Sequence, residues 1–297
     1  MCMAYGSKPA VTAWIRARKK LREIAASDLT PAHKFLYAAH LAVDLWRRAE
    51  PTELSGTRRY RLRGGGSIEL RGGTTDRKVF EEIFLSRIYA PFAALSQSDG
   101  AAPLVLVDLG ANIGLSAIYL SRALQPDWIV AVEPDLANYA MLVRNLRQAR
   151  IAEKSSAVYA FAGAERGHAR LEDPGNGAWG MRMGAQAPAG IPVLPVAEIV
   201  ALAAVPSAQT PRVILKCDIE GAERQLFEQI RDWDRTTSFV MLELHTEFFA
   251  EEEFRTCIES SGYHWKLHGT ISQDSVLAVI GLERLARKTA TSGAACG

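Results

Sequence analysis

From residue 104 onward, short apolar runs alternate with amphipathic stretches. Apolar runs at 104–108, 128–133, 157–162, 213–218 and 239–244 read as buried strands. Helical periodicity follows at 115–124, 136–149, 222–230 and 251–260. Two further strands, 263–268 and 275–280, are predicted to close the series as an antiparallel pair. Strands that alternate with helices imply an α/β fold with a mostly parallel sheet covered on both faces. The segment 163–195, rich in Gly and Pro, is expected to form loops or a small β insertion. No internal repeat is evident.

The front of the chain follows another pattern. Trp14, Ile15, Arg18, Leu21 and Ile24 recur at helical spacing, and Phe35, Leu36, Ala39, Val43 and Trp46 continue after Pro31, so 9–50 reads as helices. Residues 57–71 read as a β-hairpin turning at Gly64, Gly65 and Gly66, which can supply positive φ. An amphipathic helix is expected over 76–90, capped by Asp76, with Val79, Phe80, Ile83, Phe84 and Ile88 as its apolar stripe. A small polar linker covers 96–102. The expected organisation is an extension over 1–100, an α/β domain over 101–281 and a frayed tail over 282–297.

Composition adds an asymmetry. The 297 residues carry 35 Lys+Arg and 33 Asp+Glu, a net charge of +2. Residues 1–100 hold 17 basic and 10 acidic residues, whereas the remainder holds 18 and 23. The basic run Arg16, Arg18, Lys19, Lys20 and Arg22 reads first as a solvated helix face, and more sharply as a nucleic-acid or membrane surface. Cys2, Cys217, Cys257 and Cys296 form no CxxC pair, which argues against a disulfide framework or a zinc module. No run is long and apolar enough for a membrane span, and no signal peptide is evident. These features predict a cytoplasmic protein without a membrane partner.

The sharpest local signal is VDLGANIGL at 107–115, a strand running into a glycine turn and then a helix. Gly110 and Gly114 allow close backbone approach to a ligand. Asp108 at the strand end can pair with an ammonium group. Glu133 ends the next strand, 25 residues on, where a carboxylate can accept ribose hydroxyls. S-adenosylmethionine carries both groups and no phosphate. A dinucleotide fingerprint needs a glycine where Asn112 stands. The plainer reading of the glycines is a tight strand-to-helix turn.

Two further pairs stand at strand ends: Asp218 and Glu220, then Glu243 and His245. Members of each pair are two apart, so in extended chain they point to one side. All four can converge beside the cofactor if their strands are neighbours. A hydroxyl acceptor needs a base, and His245 has the most suitable ordinary pKa, with Asp218 or Glu220 orienting the hydroxyl. The plainer readings are helix capping for Asp218 and Glu220, and a structural hydrogen bond for Glu243 and His245. A divalent metal on Asp218, Glu220 and Glu243 is chemically possible. Trp179 is read as a cover for cofactor or substrate, or as a loop anchor. His33, His40, His168, His264 and His268 are scattered, and Cys217 reads as a buried strand residue.

The ordered blocks VDLGANIG (107–114), VEPDLANYAMLVRNL (132–146), IPVLPVAEI (191–199), LKCDIEGAE (215–223) and ELH (243–245), with TTDRKVFEEIFLSRIY (74–89) upstream, resemble the FkbM family of S-adenosylmethionine-dependent methyltransferases. The resemblance implies a Rossmann-like class I methyltransferase sheet of seven strands, preceded by a helical and β-hairpin extension. It implies O-methylation of a hydroxyl on a sugar or polyketide-type natural product. By the same resemblance, Asp108, Gly110, Ala111, Asn112, Gly114, Glu133 and Pro134 line the cofactor site, Asp218 borders it, and Asp76 and Tyr89 close over it. The other class of acceptor is a macromolecule, RNA or protein, supported only by the basic front. A non-catalytic binding protein is a third reading, against which the intact acids argue. The extension is expected to pack on the carboxyl edge of the sheet and to favour an acidic, phosphorylated or carrier-bound acceptor.

Overall fold

The computed structural model describes residues 8–46, 56–96, 102–172, 182–205, 209–233, 235–269 and 277–287. The chain divides into two compact units. One comprises Met1–Ile88 with Gln148–Arg150, the other Tyr89–Arg147 and Ile151–Gly297.

In the first unit, helices α1 (Lys8–Ala26) and α2 (Pro31–Trp46) precede the hairpin β1 (Thr57–Arg61) and β2 (Ser67–Arg71), paired antiparallel with Tyr60 opposite Ile68. Gly64, Gly65 and Gly66 all take positive φ, as the hairpin reading required. The core is largely aromatic: Tyr37, Tyr60, Phe80 and Phe84 are buried, with Tyr60 stacked on Phe80 and Phe80 on Phe84. The helix periodicity is present, but much of its apolar stripe faces outward. Trp14, Ile15, Leu21, Phe35, Leu36, Val43 and Trp46 are exposed, while Ile24 is buried. The inner face of α2 instead makes polar bonds: Tyr37 Oη donates to Glu81 at 2.8 Å, and Asp44 accepts from Arg58 at 2.7 and 2.8 Å.

The helix expected over 76–90 is broken. After α3 (Asp76–Phe80) comes a π-helical turn, Glu81–Ser86, which stops where Arg87 takes φ 55°. Asp76 does not cap α3. Its buried carboxylate accepts from Arg71 N at 2.8 Å, Nε at 2.9 Å and Nη2 at 2.8 Å, a partner within its own unit.

The second unit opens with α4 (Ala90–Leu95) and β3 (Leu104–Leu109), α5 (Leu115–Leu124), β4 (Trp128–Glu133), α6 (Leu136–Gln148) and β5 (Ser155–Tyr159). Next come β6 (Phe161–Gly163), β7 (Gly167–Glu172), β8 (Arg182–Gln186) and β9 (Ile191–Pro195), which form a four-stranded sheet in the order β6-β9-β7-β8. The expected β insertion is therefore a sheet of its own. Trp179 lies outside the described residues. The chain continues through α7 (Val196–Ala201), β10 (Arg212–Cys217), α8 (Glu223–Glu228), α9 (Ile230–Trp233), β11 (Thr237–His245), α10 (Glu251–Ser260), β12 (Tyr263–His268) and β13 (Leu277–Arg287).

The main sheet has seven strands in the order β12-β13-β11-β10-β3-β4-β5. Neighbours from β11 to β5 run parallel, and β13 is antiparallel to both β11 and β12. The fold is thus Rossmann-like, mixed α/β and mostly parallel. β13 continues to Arg287, past the point where a frayed tail was expected, because Leu282 and Glu283 pair with Val240 and Phe239 of β11 and Arg284, Ala286 and Arg287 pair with Trp265, His264 and Tyr263 of β12. Val105, Leu106, Val107, Val213, Ile214, Leu215, Val240 and Leu242 are fully buried, as strands covered on both faces must be. Truncating one such residue to Ala costs about 2–5 kcal/mol. The strand order reverses between β3 and β10, and ligands of open α/β sheets bind outside the carboxyl ends at such a point.

Candidate active site

The turn after β3 and the loop after β10 meet at that reversal. Gly110 takes φ 71°, and a Cβ there would lie 1.7 Å from the carbonyl oxygen of Asp218. The glycine is required by a second loop of the protein itself. At Gly114, φ 87°, a Cβ would meet Leu142 of α6 at 2.7 Å. Ala111 N–H donates to Val132 O at 2.9 Å, tying the turn to β4.

A cleft opens between these loops, lined by Gly110, Asn112, Glu133, Pro134, Asn138, Phe161, Met183, Asp218 and Glu220 among others. Among the described residues its lining includes no Lys or Arg, though the charge of Arg182 acts on Glu220. Glu133 is held by backbone: Oε2 accepts Asn112 N–H at 2.8 Å, and Oε1 accepts Asp135 N–H at 2.9 Å and Asn138 Nδ2 at 3.4 Å. Burial pushes its carboxyl up to about 7, against these hydrogen bonds, which favour the charged form. Each oxygen keeps acceptor capacity.

Asp108 is fully buried and absent from the cleft lining. Its carboxylate accepts Ser116 Oγ at 2.6 Å and lies 3.2 Å from Lys216 Nζ. Lys216 is buried too, donates to Gly110 O at 2.8 Å, and lies 3.5 Å from Asp218. Burial opposes the Lys216 charge, but the negative charges of Asp108, Asp218 and Glu243 outweigh it and raise its pKa. The protein thus supplies its own ammonium to Asp108, the partner expected from a ligand. This pairing spans neighbouring strands, and the sequence offered only the adjacency of Lys216 and Asp218 as a hint.

Glu243 and Tyr89 form a separate pair. Tyr89 Oη donates to Glu243 Oε1, and burial first, then Glu243, raises the phenol pKa well above its usual value. Tyr89 is 1% exposed. Glu243 stands apart from the cluster that could take a cation: Asp218, Glu220 and His245 have ligand atoms within 4.8 Å of one another. This cluster shares Asp218 and Glu220 with the metal set expected from spacing and has His245, where that set had Glu243, as its third member.

That cluster rests on a strained turn. Glu220 takes φ 53°, sparsely populated for a residue with a side chain, and Gly221 follows at φ 95°. Asp218 and Glu220 are thus not in extended chain as expected, yet their carboxylates still converge with His245. Neither caps α8. The N-cap of α8, Ala222, has no side-chain cap bond, and Glu223, the first residue of α8, instead reaches back to the loop, accepting Ile219 N–H at 3.2 Å and Gly221 N–H at 2.9 Å. Glu223 is fully buried and also bonds His245 Nδ1 at 2.9 Å, while His245 Nε2 lies 3.4 Å from Glu220 Oε2. Burial opposes the imidazolium, but Glu223, Asp218 and Glu220 outweigh it and push the His245 pKa up to about 9. Burial and then Asp218 push Glu220 up to about 7. Sequence reasoning assigned no role to Glu223, Asn138, Phe161 or Met183. Only Glu223 had a signal, as the last residue of the KCDIEGAE segment.

The profile described as the methyltransferase FkbM domain matches residues 108–265. Among curated proteins none matches the chain. Similar solved structures include methyltransferase FkbM from Methylobacillus flagellatus KT, 15% identical, covering 66% of this chain and 47% of that one, with a TM-score of 0.43. The chain thus spans about half the length of that protein. The precorrin-6y C5,15-methyltransferase of Geobacter metallireducens GS-15 is 15% identical, covers 67% of this chain and 88% of its own, and has a TM-score of 0.39. The O-methyltransferase TomG of Streptomyces achromogenes, involved in tomaymycin synthesis and in complex with S-adenosylmethionine, is 14% identical over 69% and 81% of the chains, TM-score 0.40. No helix among the described residues is long and apolar enough to cross a membrane. Because the matched segment spans more than half of the sequence and contains the cleft acids and His245, the chain belongs to the FkbM methyltransferase family.

Proposed function

We propose that the protein is an S-adenosylmethionine-dependent O-methyltransferase acting on a hydroxyl of a small molecule, a sugar or polyketide-type intermediate. The observation that carries this reading is the meeting of Asp218, Glu220 and His245 at the end of the cleft that Glu133 also borders. The cleft chemistry fits the cofactor. Three carboxylates, Glu133, Asp218 and Glu220, are among its described lining residues, which suits a sulfonium and an ammonium better than a pyrophosphate. Free thiols at Cys217 and Cys257 are consistent with the cytoplasmic location we propose.

The bound cofactor supplies an electrophilic methyl group. Glu133 and the Asn112 peptide would hold the ribose side, Phe161 and Met183 would provide apolar walls, and Asp218, which lines the cleft, would take the ammonium. Glu220 orients the acceptor hydroxyl. His245, held by Glu223 through Nδ1, would accept the acceptor hydroxyl's proton at Nε2, which leaves the oxygen free to take the methyl group the cofactor would supply. With a His245 pKa near 9, the rate should rise with pH up to that value. A rise complete by pH 7 would move the base to Glu220, whose carboxyl loses its proton near 7. The same three side chains favour a second chemistry, a divalent cation on Asp218, Glu220 and His245. Full turnover after exhaustive chelation would remove it.

Calorimetry tests the cofactor assignment. S-adenosylmethionine should bind the wild type, and Glu133→Ala should weaken it strongly. Absence of binding, or equal binding by the variant, overturns the proposal. A product methylated on RNA or protein would replace the small-molecule acceptor by a macromolecule.

A further inference from the structure

We propose that the outward faces of α1 and α2 seat the protein on the surface of an anionic lipid bilayer. The starting observation is that α2 is inside out. Phe35, Leu36, Ala39, Ala42, Val43 and Trp46 form its exposed side, with Phe35 81% and Trp46 83% exposed. Its inner side carries the polar groups: His40 Nδ1 lies 2.8 Å from Tyr60 Oη, and Asp44 is buried against Arg58 and Arg77. A helix whose polar bonds point inward cannot turn its apolar stripe to its own core without breaking those bonds. The stripe therefore needs an apolar phase outside the chain.

The charge beside it selects the occupant. α1, which packs against α2, exposes Trp14, Ile15 and Leu21 interleaved with exposed Arg16, Arg18, Lys19 and Arg22. Its one carboxylate, Glu23, is paired with Lys19 and Lys20, and the one carboxylate of α2 is the buried Asp44. The exposed face thus combines apolar groups with four exposed cations and, among the described residues of α1 and α2, no exposed carboxylate. A second copy docking through this face would oppose cations to cations. A nucleic acid would leave the α2 stripe in water. A bilayer surface with anionic headgroups satisfies both: ring and aliphatic groups enter the acyl boundary, and the arginines and lysine stay at the phosphates. Neither helix spans a bilayer, so the association is peripheral.

The test uses the full chain and co-sedimentation with vesicles of phosphatidylcholine alone or mixed with phosphatidylglycerol. Binding is expected only to the mixed vesicles, and it should weaken as salt is raised. Replacing exposed residues in Phe35→Glu/Trp46→Glu should abolish binding without changing the melting temperature. Arg18→Gln/Lys19→Gln/Arg22→Gln should weaken it about 100-fold, since each basic residue adds to attraction by anionic lipid. No binding to the mixed vesicles overturns the proposal, as does binding that either variant leaves unchanged. A dimer in sedimentation equilibrium that Phe35→Glu/Trp46→Glu dissolves, with no vesicle binding, would assign the face to a second copy instead.

Discussion

The two ends of the cleft hold their carboxylates in different ways. At one end, Glu133 is clamped by peptide N–H groups of Asn112 and Asp135, which belong to the loops that close the turn. At the other, Glu220 and His245 lean on each other and on Glu223, on a loop that bends through positive φ at Glu220 and Gly221. Peptide groups cannot change protonation, so the first arrangement is a fixed cradle, suited to a cofactor that must be held. Burial pushes the carboxyls of both Glu133 and Glu220 up to about 7, so what sets the second end apart is His245, raised to about 9, a side-chain partner that itself exchanges protons where chemistry is proposed.

Substitutions should separate the two ends. The largest effect is expected from His245→Ala, with kcat reduced on the order of 10²–10⁴-fold while calorimetry shows unchanged cofactor affinity. A matching loss of affinity would mean that the two ends are one unit. Next is Glu133→Ala, for which cofactor affinity should fall about 100-fold, the scale of one or two hydrogen bonds to a charged group. Glu223→Gln should lower kcat about 10-fold, the low end for loss of an orienting partner. It should also move the pH–rate midpoint down from about 9, because the charge that raises His245 is gone. An unmoved midpoint would show that Glu223 is only structural.

The smallest effect is on stability. His245 has its pKa raised by folding, so its contribution is full below its ordinary 6.5 and lost as pH rises through about 9. Glu133 and Glu220 are raised as well, so folding favours their protonated forms and stability falls as pH rises from 4.5 through about 7. The melting temperature should decline across both windows, and the upper decline should vanish in His245→Gln. Persistence of that decline in the variant would assign it to another group.

Much of this was legible along the chain. Strand ends at Glu133, Asp218 and His245 could be located because buried parallel strands are continuous apolar runs, and the residue after such a run emerges at the edge. The role of Asp108 was not legible. Whether an acid at a strand end meets ligand or protein depends on the neighbouring strand, and here Lys216 of β10 reaches it. The same reason hid Glu223 of α8, whose partner His245 lies 22 residues away at the end of β11. On α1 and α2 the apolar period was readable, but not the side that faces in. Periodicity gives a stripe, and only competition among packing partners orients it.

Local patterning alone therefore determined the order of strands and helices, the glycine turn and the set of acids at the sheet edge. These follow from short-range rules of burial and backbone conformation. Tertiary structure decided which acids are neutralised internally, which face the cleft, how far their proton affinities move, and which helix faces are left to solvent. Each of those depends on burial and on charges brought together from distant segments, and Coulomb and desolvation energies follow spatial separation, with no regard to distance along the chain.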